Sequence, residues 1–107
     1  MPVMTLPQIE ELCRDALLRA GASSEQATIV AAEIADAEAE GIRNVGLGYM
    51  HLYLKHLKVG KVNPKAAPKV VKTSAASTVI DGDFGFCHHA YLVGESRLID
   101  TAREQGV

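Results

Sequence analysis

Lys69-Val70-Val71-Lys72-Thr73-Ser74-Ala75-Ala76-Ser77-Thr78-Val79-Ile80-Asp81-Gly82-Asp83 is the stretch whose reading decides the fold class. Val70-Val71 and Val79-Ile80 are β-branched pairs, Ser74-Ala75-Ala76 is short enough for a hairpin, and Asp81-Gly82-Asp83 is a turn. The reading is two strands, Lys69 to Thr73 and Ser77 to Asp81, set in a sequence that is otherwise helical. A lone hairpin is only marginally stable, and two strands give several helices little sheet to cover. The pair is expected to join further strands. The chain is therefore read as an α/β piece, α+β-like in its order of elements and an incomplete part of a larger fold.

Upstream, Thr5 with Gln8 three residues on is a capping box, and Pro7 is tolerated in the first turn. Ile9, Leu12, Cys13, Ala16, Leu17 and Ala20 then follow helical spacing, Glu10–Arg14 and Asp15–Arg19 are i, i+4 pairs, and Gly21 stops the helix. Ser23 and Gln26 repeat the box before a helix running to about Glu40, whose stripe of Ala27, Val30, Ala31, Ile34 and Ala35 suits close packing. Its C-terminal half carries Glu33, Asp36, Glu38 and Glu40, where the helix dipole disfavours negative charge. Either a cation lies nearby or this is a solvated acidic face. A third helix presents Leu47, Met50, Leu54 and Leu57 and stops at Gly60. After the Asn63-Pro64 and Ala67-Pro68 connection and the hairpin, a last helix runs from about Phe86 to Gln105. The expected organisation is one segment, 1–107: helical over 1–60, hairpin over 69–81, helix over 86–105.

Of 107 residues, 48% are apolar and 22% charged, which excludes disorder and fits one core. No run approaches the ~20 apolar residues of a membrane span. Met1-Pro2-Val3-Met4 has neither a basic segment nor an apolar h-region, and Cys13 and Cys87 cannot frame a disulfide scaffold, so a cytoplasmic protein with reduced thiols is expected. Net charge is −2 but lopsided: residues 41–80 hold Arg43, all six lysines and no acid. That basic middle faces either an anionic ligand or the acidic first helices. A nucleic-acid binder of this size would carry a clear net positive charge, so nucleic acid is not an expected partner.

The chemistry-bearing residues form no complete site on their own. His88 and His89 are adjacent and point about 100° apart on a helix, and His51 and His56 are five apart, so no metal site is expected. Asp83-Phe84-Gly85 reads as a turn, and Gly46-Leu47-Gly48 lacks the third glycine of a dinucleotide fingerprint. Cys13 lies on an apolar stripe; Cys87 sits near a helix start, a setting that lowers a thiol pKa, but has no base partner in the sequence.

A resemblance spans nearly the whole chain. It is carried by Gly21-Ala22-Ser23-Ser24-Glu25-Gln26-Ala27, Ala37-Glu38-Ala39-Glu40-Gly41-Ile42-Arg43, Gly46-Leu47-Gly48 and the run Tyr53 to Pro64. Val79-Ile80-Asp81-Gly82-Asp83-Phe84-Gly85-Phe86 and Ala102-Arg103-Glu104-Gln105-Gly106-Val107 complete it. The order resembles the N-terminal third of the malate/L-lactate dehydrogenase family, which is unrelated to the Rossmann-fold lactate dehydrogenases and includes ureidoglycolate, sulfolactate and cyclic-imino-acid oxidoreductases. The resemblance implies an NAD- or NADP-dependent oxidoreductase acting on a small 2-hydroxy or 2-keto acid or a relative. It also implies a homodimer, with the cofactor bound mostly by later sequence.

The family's loop after the second helix typically reads Ser-His-Gly, with an arginine three residues beyond. Here those places hold Asn44, Val45, Gly46 and Tyr49, and only the glycine matches. A valine cannot move a proton, and a tyrosine cannot clamp a carboxylate bidentately. The resemblance therefore carries no catalytic residue and no cofactor-binding residue onto this chain. It leaves Asn44 and Tyr49 as expected substrate-lining residues, with Arg43 or His51 as substitutes for the lost polar groups. The isolated chain is expected to be inactive. The alternative is a non-catalytic helical module, derived from the family, that dimerises or binds a partner.

Overall fold

Helix α1 (Leu6–Arg19) begins where Thr5 closes its capping box, Thr5 Oγ1 accepting from Gln8 N at 3.3 Å and Gln8 Oε1 from Thr5 N at 2.8 Å. A computed structural model describes residues 3–106. After α1 come α2 (Ser24–Ala39), two short 3-10 turns (Arg43–Val45 and Leu47–Tyr49), α3 (Met50–Lys58), β1 (Lys69–Thr73), β2 (Thr78–Asp81) and α4 (Cys87–Gln105). The fold is thus four helices with one antiparallel two-stranded sheet, the mixed α/β piece expected.

The core lies between α1 and α2. Ile9, Cys13 and Leu17 meet Ala27, Val30, Ala31 and Ile34, and Met50, Leu57, Val62 and Phe86 close the open side. The small residues of α2 let the two axes approach, as the stripe predicts. Leu12 is an exception to its spacing and stays exposed. Arg14 does not pair with Glu10 but donates from Nε to Thr28 Oγ1 across the helix pair at 3.3 Å. Burial pushes the Cys13 thiol up to about 11, with nearby Glu38 adding to the effect. Cys13 is a core residue.

The second capping box forms only by half. Ser23 Oγ accepts from Gln26 N at 3.2 Å, but the Gln26 side chain turns away from the helix end. Fully buried, its Nε2 donates to the carbonyls of Asn63 at 3.0 Å and Pro64 at 2.9 Å, while its Oε1 accepts from Phe86 N at 3.0 Å. One carboxamide thereby joins α2, the connection after α3, and the residue that opens α4. Asp83 anchors the same corner: its Oδ2 accepts from Ala67 N at 3.0 Å and its carbonyl from Asn63 Nδ2 at 3.2 Å. Asp83 and Phe84 both hold positive φ, 52° and 58°, so Asp83-Phe84-Gly85 is the turn its sequence suggests.

The hairpin pairs Lys69 with Asp81, Val70 with Ile80, Lys72 with Val79 and Thr73 with Thr78, which leaves Val71 as an extra, bulged residue. It packs on α4 through Ile80 against Gly94, where a Cβ would overlap the Ile80 Cδ1 atom. The outer layer is poorly covered. Val70, Val71, Val79, Leu98 and Ile99 are exposed, and a cavity of about 180 Å³ opens between β2 and α4 beside Ile80, Tyr91, Gly94 and Leu98. The radius of gyration is 15.4 Å, against about 13 Å for a compact chain of this length.

Replacing Gln26 with Ala strands the buried Phe86 amide, whereas the Pro64 and Asn63 carbonyls keep Ser23 N at 2.8 Å and Ala66 N at 3.3 Å. A stranded buried polar group costs about 1–3 kcal/mol. Gln26→Ala is expected to lower the unfolding free energy by about 1–3 kcal/mol, and Gln26→Glu by more, because an oxygen then faces two carbonyls. Chemical denaturation of the parent and both variants checks this; unchanged midpoints would contradict it.

Candidate active site

The segment from Arg43 to Tyr49 turns twice in 3-10 geometry because Glu38 fastens its middle. Glu38 Oε1 accepts from Leu47 N at 2.7 Å, and a Cβ on Gly46 would overlap that carboxylate. One of the four acids crowding the end of α2 therefore takes a backbone amide as its partner, not a cation. A side chain at position 46 would therefore displace the Glu38 carboxylate from the Leu47 amide. The loop then feeds α3, whose N-terminal end carries Tyr49 and Tyr53.

Those two tyrosines begin an aromatic chain. Tyr49 and Tyr53 meet edge-to-face at 5.0 Å between centroids, Tyr53 meets Phe86 at 5.3 Å and His88 at 5.6 Å, and Phe86 meets His88 at 6.3 Å. The Tyr53 hydroxyl lies 3.4 Å from His88 Nε2, and Cys87 Sγ lies 4.0 Å from His88 Nδ1. His88 lines a cleft of about 240 Å³ whose other walls are Glu33, Asp36, Ala37, Glu40, Ile42 and Val45. His88 and Glu33 also border a second hollow with Cys87 and Tyr91.

Electrostatics follow from burial. Desolvation lowers the His88 pKa from the usual 6.5, with Glu33 pulling the other way. Desolvation raises the Tyr53 pKa, helped by Cys87 and Tyr49, so its hydroxyl keeps its proton at neutral pH. His89 points away from His88, as adjacent helical residues must: it is buried, with Nε2 at 3.5 Å from Glu25. That contact is the one acid–base pair within 4 Å among the described residues. The lysines of the basic middle make no ion pair to the acidic helices among those residues.

Asn44 is exposed in the first 3-10 turn, and its side chain makes no hydrogen bond to another described residue. Tyr49 is half-buried and reaches His88 only through Tyr53. Arg43 and His51 are both exposed, and neither borders the cleft. Val45, next to Asn44, does. Glu33, noted in the sequence only as one acid of a crowded helix end, borders the cleft, and sequence reasoning missed that Tyr53 meets His88 there. The spacing of Tyr49 and Tyr53, one helical turn apart, was the available signal. A dinucleotide fits this segment poorly: the Leu47 amide in Gly46-Leu47-Gly48 is already occupied by Glu38 and cannot cradle a phosphate.

Fold and cleft together define a helical layer with a hairpin appendage that presents one histidine beside an acidic wall. The family model for malate/L-lactate dehydrogenase matches residues 4–107, and the chain belongs to that oxidoreductase family. It is 41% identical to L-sulfolactate dehydrogenase of Methanocaldococcus jannaschii over 101 residues, 92% of this chain and 28% of that protein. It is 35% identical to a Delta(1)-pyrroline-2-carboxylate/Delta(1)-piperideine-2-carboxylate reductase of Pseudomonas syringae over 104 residues, 97% of this chain and 30% of the relative. The crystal structure of the delta1-piperideine-2-carboxylate reductase from Pseudomonas syringae superposes with a TM-score of 0.89 at 32% identity, over 98% of this chain and 32% of that one. The chain thus spans under a third of the length of the relatives it matches. No helix among the described residues is long and apolar enough to cross a membrane.

A histidine whose pKa is lowered by folding resists protonation in the native state, whereas the unfolded chain takes up its proton near 6.5. The stability this contributes is present above that pH and is lost as pH falls below it. Thermal melts at pH 7.5 and 5.5 are expected to show a lower Tm at pH 5.5, and His88→Gln to shrink that difference. An equal difference in parent and variant would contradict the assignment.

Proposed function

We propose that this chain is the N-terminal, substrate-side part of an NAD- or NADP-dependent oxidoreductase. Its reaction moves a hydride to or from a small 2-hydroxy or 2-keto acid or a related cyclic imino acid. The observation that carries the reading is the family match along residues 4–107, supported by the 0.89 TM-score with a solved reductase. The cofactor supplies the redox chemistry, and the protein orients the substrate. Asn44 and Tyr49 do not themselves border the cleft; they are assigned to the substrate side as loop neighbours of Val45, which does. The enzyme works as a homodimer in the cytoplasm, and the 107 residues alone, without a phosphate cradle, have no dehydrogenase activity.

The cleft also argues about charge. Glu33, Asp36 and Glu40 line it, and no Lys or Arg does among the described residues. Such a wall attracts a protonated ring nitrogen and repels a second negative charge. Among the substrates in the relatives' names, a cyclic imino acid therefore suits this chain better than a sulfonated one.

A second reading, a non-catalytic module, draws support from the exposed apolar residues of the hairpin and α4, which suit a protein partner. The reading frame separates the two: continuation past Val107 into further strands supports the oxidoreductase, and a stop there supports the module. The complete oxidoreductase is then assayed with NADH and NADPH. Turnover is expected with Δ1-pyrroline-2-carboxylate, at a kcat/KM at least roughly tenfold above that with 3-sulfopyruvate. Asn44→Ala and Tyr49→Phe are expected to lower kcat about tenfold with little change in cofactor KM. Parent-like kinetics in both variants would remove these residues from the site.

A further inference from the structure

We propose that His88 is the proton-transferring residue of this site and that Tyr53 is its positioning residue. This rests on the functional reading above. Val45 has no ionisable atom, and the cleft it borders holds a single nitrogen base among the described residues, His88. His88 also borders the neighbouring hollow, so it stands between two open spaces with Glu33 common to both.

The two ring nitrogens have different surroundings. Nε2 faces the Tyr53 hydroxyl at 3.4 Å, a long contact of the kind that tightens when a substrate closes the site. Nδ1 has only the weak sulfur contact to Cys87 at 4.0 Å. The Tyr53 oxygen accepts from Nε2–H, fixes the ring plane, and leaves Nδ1 to exchange a proton with the substrate. This is the arrangement in which a third group orients an acid–base residue. Tyr53 is itself held edge-to-face by Tyr49 and Phe86 at 5.0 and 5.3 Å between centroids.

The step balances as follows. In the reducing direction the Nδ1 proton of the imidazolium joins the oxygen or nitrogen of a C=O or C=N bond. The carbon of that bond receives the hydride of the proposed reaction. The ring is left as neutral imidazole, and water reprotonates it. In the oxidising direction neutral Nδ1 takes the proton back. The groups that face this titration are Glu33, Asp36 and Glu40 from α2, Tyr53 from α3, and Cys87 and Tyr91 from α4. Burial favours the neutral ring and Glu33 opposes it by favouring the imidazolium.

The test uses the complete oxidoreductase that carries this chain. His88→Ala is expected to lower kcat at least about a hundredfold while leaving cofactor KM in place. Added imidazole is expected to restore part of the loss. The limb of the pH profile along which reduction slows as pH rises is expected to vanish in His88→Ala and His88→Gln, and to shift in Tyr53→Phe. In 15N-histidine spectra of the cofactor-free protein, neutral His88 is expected as the Nε2–H tautomer, becoming a mixture in Tyr53→Phe. A His88→Gln protein that melts like the parent and keeps its kcat and pH profile overturns the proposal alone. So does a His88→Ala loss that imidazole leaves untouched. A parent enzyme that folds but turns over none of the substrates removes the functional reading, and this proposal with it.

Discussion

One buried carboxamide sets the geometry on which everything else depends. Gln26 sits at the start of α2, yet its side chain ties down the carbonyls of Asn63 and Pro64 and the amide of Phe86. These groups belong to segments 37 to 60 residues away in sequence. The Phe86 amide has no other partner among the described residues, and the two carbonyls share theirs with Ala66 N and Ser23 N, so one side chain cross-links the three segments. Phe86 caps α4 without a side-chain hydrogen bond of its own. The place where α4 starts is thus decided by Gln26, and with it the place of His88 two residues on.

The same constraint brings charge and aromatic surface together. The acids of α2 become one wall of a cleft because the loop after α2 folds back under the hold of Glu38 on Leu47. The opposite wall is His88, delivered by α4 and braced by Tyr53 of α3. Three helices far apart in sequence each supply one kind of group: carboxylates, a phenol and an imidazole. Burial keeps the phenol protonated and the imidazole easily discharged, which gives this cleft its chemical character.

Much of the fold was legible because its signals are local. Thr5 with Gln8, the small stripe of α2 and the β-branched pairs of the hairpin each act within a few residues of themselves, and each forms where its spacing says. Long-range partners were not legible. Ser23 and Gln26 read as a capping box, and only the structure shows Gln26 taken by tertiary partners. Arg14 answers Thr28 instead of Glu10 for the same reason. The loop at 43–49 could be found from its family order, but the pairing of Tyr53 with His88 spans 35 residues and leaves no periodic trace. Leu12 and the exposed valines of the hairpin follow apolar spacing without burial, because nothing among the described residues covers them.

The central claim is that proton chemistry in this chain sits at the start of α4, opposite the loop where Val45 stands. A crystal structure of the complete oxidoreductase with pyrrole-2-carboxylate, a planar analogue of a cyclic imino acid, tests it most directly. The account predicts the analogue in the cleft between Val45 and His88, with its ring nitrogen within hydrogen-bonding distance of His88 Nδ1 and Tyr53 still on Nε2. An analogue bound away from this cleft, with His88 facing only solvent, would contradict it.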